Sequence, residues 1–166
     1  MNTENNIILT HEQIQHKIKR IAYQIYETNV GEKEIVIAGI AQNGYVFAER
    51  IKEILEDISE LTVILCKVTM DKKNPTNTVN TSLSTKEYQG KSLVLIDDVL
   101  NSGTALMYGV KHFLDVPLTR FKTAVLVNRN HKKYPIKADF KGISLSTSLH
   151  EHVEIIFGEE DSAILK

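Results

Sequence analysis

Apolar residues recur along this chain with two different periods, and the switches between them mark out its elements. After Thr10, the residues Ile14, Ile18, Ile21 and Ile25 return at helical spacing and form one stripe. Thr10 and Gln13 frame that start as a capping box, a side-chain oxygen at each end serving a backbone N–H of the other. Glu34 to Gly39 is a short run rich in β-branched residues and predicts a strand. After the loop Ile40 to Gly44, the residues Phe47, Ala48, Ile51 and Leu55 give Tyr45 to Leu55 a second helical stripe. Leu61 to Met70, Ser92 to Asp97 and Phe121 to Val127 predict further strands, with a helix over Thr104 to Leu114. Strands alternating with helices imply an α/β fold, a mainly parallel sheet flanked by helices on both faces.

Two stretches break the alternation. Asp71 to Gly90 is rich in Asn, Thr, Ser and Lys without periodicity. An unstructured stretch of that length inside a compact domain is usually functional, so residues 71–90 are expected to form a flexible flap. Beyond Pro135 the apolar runs are short, Val153 to Phe157 and Ala163 to Leu165, and residues 135–166 are expected to build a small hood subdomain beside the main sheet. With no repeat and no linker in 166 residues, the expectation is one domain over 1–166.

Composition narrows the class. A chain with 42% hydrophobic and 25% charged residues is ordinary globular material. It has no apolar run of the roughly 18 residues a membrane span requires. Its start, Met1 to Asn6, is polar and unlike a signal peptide, so a cytoplasmic location is expected. Twenty Lys and Arg against 21 Asp and Glu leave a net charge of −1, which argues against a strongly electrostatic nucleic-acid binder. The one cysteine, Cys66, lies in a strand-like run and is expected to be a buried, inert thiol.

The candidate chemistry lies in Val94 to Ala105, where an apolar strand runs into Asp97 and Asp98 and then into a small-residue turn that opens a helix. A helix N-terminus leaves its first N–H groups without intrahelical partners and carries partial positive charge, which suits a phosphate. Ser102, Gly103 and Thr104 would line that cradle, the glycine permitting close approach and the hydroxyls adding donors. Paired carboxylates at a strand's carboxyl end, where ligands of open α/β sheets bind, suit vicinal hydroxyls of a sugar. His150-Glu151-His152 lacks the spacing of a zinc motif and reads as alternation in a strand-like segment.

This string resembles the phosphoribosyl pyrophosphate (PRPP) motif of type I phosphoribosyltransferases. Val36 to Tyr45 resembles that family's pyrophosphate loop. Ala124 to Phe140, with Ser146-Thr147-Ser148-Leu149-His150-Glu151 downstream, is similar to its subgroup of pyrimidine operon regulators and uracil phosphoribosyltransferases called PyrR. The start, Ile7-Ile8-Leu9 before a helix, fits the same pattern, which places an N-terminal segment with the hood.

The resemblance implies a pentosyltransferase of pyrimidine salvage that moves ribose 5-phosphate from PRPP to a nucleobase, uracil, and releases pyrophosphate. It implies Mg²⁺ carried with PRPP and reached by Asp97 and Asp98 through water or the substrate. It assigns Asp97, Asp98 and Asn101 to catalysis, Leu100, Ser102, Gly103 and Thr104 to the 5′-phosphate, and Ala41, Gln42 and Asn43 to pyrophosphate. Arg129 would contact pyrophosphate or base, and Lys72 and Lys73 would arrive on a flap that closes to exclude water. A homodimer or higher homo-oligomer is implied as well.

The same resemblance admits a regulator that binds RNA and senses nucleoside monophosphates, with Lys17, Lys19, Arg20, Lys132, Lys133 and Lys137 as its basic residues, or a relative that binds nucleotides without catalysis. Four departures bear on turnover. Thr104-Ala105 lacks a second hydroxyl common in relatives, and Ala41, Gln42 and Asn43 stand where the subgroup carries basic residues. A lost cationic contact there is worth about 1.5 to 3 kcal/mol. Asn101 replaces the Asp of many purine enzymes, and the flap lacks an arginine.

Overall fold

The computed structural model describes residues 6–74 and 76–166. Met1 to Glu4 and Asn5 of the polar start, and Pro75 of the flap, lie outside the described residues. Among the described residues the main sheet has six strands. They are β2 (Glu34–Ile40), β3 (Thr62–Thr69), β4 (Asn80–Thr81), β5 (Ser92–Leu100), β6 (Arg120–Arg129) and β7 (Phe140–Leu145). Their order is β4-β3-β2-β5-β6-β7, and every pairing is parallel except the short antiparallel edge of β4 on β3.

Alternation along the strands divides the core between two faces. Ile35, Ile37, Val94, Ile96, Ala124 and Leu126 point to one side, under α1 (His11–Thr28) and α2 (Asn43–Ile58). Val36, Ala38, Ile40, Leu93, Leu95 and Val125 point to the other, under α3 (Thr85–Tyr88) and α4 (Thr104–Phe113). Burial on both faces explains why these strands read as continuous apolar runs. The predicted capping box of α1 is present, with Gln13 N–H donating to Thr10 Oγ1 and Thr10 N–H to Gln13 Oε1.

The hood is a second sheet of three antiparallel strands in the order β1-β9-β8, made from β1 (Asn6–Leu9), β8 (Val153–Ile156) and β9 (Ser162–Leu165). Asp161, 2% exposed, joins it to the helices. Its carboxylate accepts from Arg50, Gln15 and the Gly158 N–H, and its own N–H donates to His11 Nδ1.

Several expectations need correction. The strand predicted to stop at Asp97 continues to Leu100, because Val99 and Leu100 still pair with Val127 and Asn128. The expected flap is structured in its second half, where β4 is followed by α3 with its own capping box, Ser84 with Glu87. Tyr88 of α3 is buried edge-on against Phe113, ring centroids 5.0 Å apart, which anchors that half to the core. β7 is a strand the sequence pattern did not announce, and it extends the main sheet beside β6, so the hood does not take up all of residues 135–166 as expected. His150-Glu151-His152 occupies a turn and its exit rather than a strand. Arg20 is tied down, donating to the carbonyl oxygens of Lys141 and Gly142. Cys66 is buried as expected, and burial pushes its thiol pKa up. Among the described residues no helix is long and apolar enough to cross a membrane.

Candidate active site

β2 leads through α2 to β3 on one side of the sheet, and β5 leads through α4 to β6 on the other. The chain thus turns opposite ways at the carboxyl ends of two adjacent strands, and a crevice opens between the outgoing loops. The register pairs Gly39 with Ile96, which sets the loop after β2 beside Asp97 and Asp98.

Two glycines let that loop lie against the acidic strand. A Cβ on Gly39 would come within 2.5 Å of Gly44 O and Tyr45 Cα, and one on Gly44 within 2.9 Å of Ile96 O and 3.0 Å of Asp97 Cα. The amino end of α2 therefore rests on β5 backbone to backbone. Asn43 Nδ2 donates to Asp98 Oδ2 at 3.2 Å and to the Ile155 carbonyl at 2.9 Å, so one amide joins loop, acidic pair and hood. The Ala41–Gln42 peptide is cis. Ala41 N–H donates to the Val68 carbonyl, and Gln42 is exposed. The N–H groups of Gln42, Asn43 and Gly44 donate to nothing among the described residues.

The turn after β5 has the same character. Gly103 adopts φ +86 and ψ 0 as the N-cap of α4, a left-handed conformation in which a side chain is strained, and a Cβ would meet Ile136 Cγ2 at 2.5 Å. Ser102 Oγ and Thr104 Oγ1 share a hydrogen bond of 2.8 Å, and the Ser102 carbonyl accepts from the N–H groups of Lys133 and Tyr134. Thr104 N–H donates to Ser102 Oγ, but those of Asn101, Ser102, Gly103, Ala105 and Leu106 have no partner among the described residues. With Asp97, Val99, Leu100 and Lys72 they surround a cavity of about 180 Å³. A larger hollow of about 540 Å³ on the outer face of α4 is lined mainly by Met107, Tyr108, Val110 and Leu114 and lacks such convergent polar groups.

The two carboxylates differ. Asp97 is 4% exposed, and its pKa is pushed up to about 8, first by burial and then by the neighbouring charge of Asp98. Lys72, from the first half of the flap, lies 3.6 Å from Asp97 Oδ1 and partly offsets the rise. Asp98 is half-buried and accepts from Asn43 and from the Val99 N–H. Lys73 is exposed and its side chain reaches none of these groups.

Arg129 is 6% exposed, with nearly all its donors used. Nε donates to Thr147 Oγ1, NH1 to Asn101 Oδ1, and NH2 to the carbonyl oxygens of Ser148 and Glu151. Its place is thus between the phosphate turn and the 146–151 loop. The sequence gives no individual site role to Gly44, Ile155 or Thr147, although Gly44 and Thr147 lie in the two stretches on which the resemblance rests.

The model of the phosphoribosyl transferase domain matches residues 4–162. The chain is similar to the bifunctional protein PyrR of Chloroflexus aurantiacus, at 32% identity over 162 residues, 93% of this chain and 89% of that one. It is also similar to the bifunctional protein PyrR of Streptococcus thermophilus, 35% identical over 153 residues, 89% and 87% of the two chains. In fold it is similar to the hypoxanthine phosphoribosyltransferase of Trypanosoma cruzi, with TM-score 0.77 at 17% identity over 96% and 95% of the chains. The hypoxanthine-guanine phosphoribosyltransferase of Bacillus anthracis gives TM-score 0.72 at 20% identity over 87% and 84%. A family match along nearly the whole chain, with relatives this similar, means that it belongs to the phosphoribosyltransferases, a family of pentosyltransferases, and among them to the group of the PyrR proteins.

Proposed function

We propose that this protein transfers ribose 5-phosphate from PRPP to uracil and releases pyrophosphate. The observation that carries the reading is the pair of unpartnered N–H clusters, Gln42 to Gly44 and Asn101 to Leu106, on either side of the acidic pair. PRPP has a phosphate at each end of its ribose, and the vicinal hydroxyls lie between. The second cluster, at the amino end of α4, holds the 5′-phosphate; the first, at the amino end of α2, holds pyrophosphate. Asp97 and Asp98 accept from the ribose hydroxyls, which fixes C1′ in line for attack.

The base nitrogen forms its bond to C1′ as the bond from C1′ to the pyrophosphate oxygen breaks, and the electron pair leaves with pyrophosphate. The N–H proton of uracil leaves with that displaced anion, the strongest base the reaction supplies. Charge gathers on pyrophosphate, and preorganised N–H donors stabilise it there. Two adjacent carboxylates with only oxygen donors fit Mg²⁺, which keeps waters and substrate oxygens among its ligands; Asp97 and Asp98 would hold it. Bound with PRPP, the ion would neutralise charge on the leaving group. Lys72 pairs with Asp97 at 3.6 Å, within reach of the site, and would offer its ammonium to phosphate oxygens of PRPP as the flap closes.

Pyrophosphate release from PRPP and Mg²⁺, with uracil, hypoxanthine and guanine offered in turn, tests the reading. Uracil alone should support turnover; no release with any of them rejects it. A second reading, an RNA-binding regulator working through the same pocket, is favoured by Lys132, Lys133 and Lys137, all exposed on one loop beside the phosphate turn. Binding of RNA that weakens with salt and shifts with uridine nucleotides would support it.

A further inference from the structure

The resemblance assigns Asn43 to pyrophosphate, but the fold commits its side chain elsewhere. Nδ2 lies 3.2 Å from Asp98 Oδ2 and 2.9 Å from the Ile155 carbonyl oxygen. Both partners are acceptors, so the amide can face them only with its NH₂ group, and its two N–H bonds are used once each. No donor of this side chain remains for an anion; only the backbone N–H of Asn43 is left to pyrophosphate. Turning the amide over would set its oxygen against a carboxylate and a carbonyl. The Ile155 carbonyl is available because β8 is an edge strand of the hood sheet, paired with β9 on one side.

The other end of the bridge is Asp98. Its Oδ1 accepts from the Val99 N–H at 2.8 Å and its Oδ2 from Asn43. A carboxylate offers about four lone-pair sites, so one bond at each oxygen fixes the plane of the group and leaves a lone pair free on both. Asn43 can hold that plane because its own backbone is held: it is the first residue of α2, and Gly44 after it rests against Ile96 and Asp97. Without the amide, Asp98 would keep the Val99 bond alone, and its terminal torsion is of the broad kind that one bond does not fix.

We propose that Asn43 is a positioning residue that aims the Asp98 carboxylate at the vicinal hydroxyls of the ribose, with the Ile155 carbonyl as its anchor. The proposal rests on the PRPP reading for its sugar. An acceptor whose direction is already set gives up little orientational freedom when a hydroxyl donates to it, so the sugar binds more tightly. The side chain of Asn43 touches neither the ribose nor pyrophosphate and acts through Asp98.

Titration calorimetry of ribose 5-phosphate, 2,3-dideoxyribose 5-phosphate and pyrophosphate on the intact chain tests this. Wild type should prefer the sugar that keeps both hydroxyls. Asn43→Ala should lower that preference about threefold to tenfold, while pyrophosphate affinity, which depends on backbone N–H groups, changes by about twofold at most. Asn43→Asp matches the amide in shape but turns oxygens toward Asp98 and Ile155, and should lower the preference at least as far. Each preference is a ratio taken on one preparation, so any loss of folded protein cancels. A preference kept in full by Asn43→Ala overturns the proposal and leaves the PRPP reading intact. So does a fall in pyrophosphate affinity alone, which would return the side chain to the anion. A wild type that binds both sugars equally sinks the ribose placement itself, and the positioning role with it.

Discussion

At the scale of single residues, Asp97 combines a charge with a place that disfavours it. Its pKa is 3.8 in an unstrained reference and about 8 in the fold, raised by burial first and by Asp98 second. Between those values the folded protein binds more protons than the unfolded chain, so stability falls as pH rises from about 4 to about 8. Asp161 shifts the other way. Burial would raise its carboxyl, but the bonds from Arg50 and the Gly158 N–H outweigh burial and hold it below the usual carboxylate range. Its contribution is present above that range and lost as pH falls through the lowered value. Urea unfolding followed across pH should therefore show a maximum in the acidic range with a declining neutral limb, and Asp97→Asn should flatten that limb alone. A wild-type stability that climbs from pH 5 to 8 would contradict this assignment. The acidic pair itself was legible in the sequence, because consecutive carboxylates after an apolar strand are conspicuous. The burial of only the first was not, since it depends on β5 continuing past the pair to Leu100, and that depends on β6 beside it.

At the scale of elements, local chemistry announced what local chemistry decides. The stripe and capping box of α1, the stripe of α2, the helix after the acidic pair, and the apolar runs of β2, β3, β5 and β6 appear where the sequence placed them, give or take their ends. Two stretches did not follow from local pattern. β7 contains Gly142, a residue that ordinarily weakens a strand, yet a Cβ there would lie 2.4 Å from the Leu126 carbonyl, so the neighbouring strand requires the glycine. The second half of the expected flap is polar by composition but is anchored by Tyr88, whose partner Phe113 lies on α4. The seat of α2 on β5 gives an element-scale prediction. In Gly44→Ala the new methyl meets Ile96 O and Asp97 Cα, backbone that cannot yield as a side chain would. The amino end of α2 must lift from the acidic strand, stretching the Asn43 bonds to Asp98 and Ile155. The expected cost is about 1 to 3 kcal/mol of stability, read from chemical denaturation. A larger relative loss should appear in pyrophosphate affinity than in that for ribose 5-phosphate, because only the α2 cluster moves. Equal losses for the two ligands would refute the division of the site into two anion clusters.

At the scale of the whole molecule, two sheets are held in register by polar ties that span the chain. Asn43 reaches Ile155, Arg129 holds the 146–151 loop, and Asp161 gathers Arg50, Gln15 and His11 beneath the hood. The α/β class and the hood were legible from the order of runs, but these ties were not: Arg50 and Asp161 stand 111 residues apart, and His11 and Asp161 stand 150 apart. The Asp161 side chain is fully buried, while Arg50 is 26% exposed and its guanidinium also lies over the Phe157 ring. Removing one partner of a buried pair leaves an uncompensated charge, whereas replacing both with apolar groups is close to neutral. Arg50→Met should thus cost about 3 kcal/mol, and Arg50→Met with Asp161→Leu should recover much of that loss. The partial exposure of Arg50 places the single variant at the lower end of the range for buried pairs. Function should divide in the same way. The phosphate turn belongs to the main sheet, so if the transferase reading holds with the base seated on the hood side, loosening the hood should raise KM for the base more than KM for PRPP, and the double variant should restore most of the difference. If the single and double variants unfold at the same urea concentration, or if the two KM values rise together, the hood is not held by this charge pair, and the Asn43 bridge to Ile155 becomes the tie that matters.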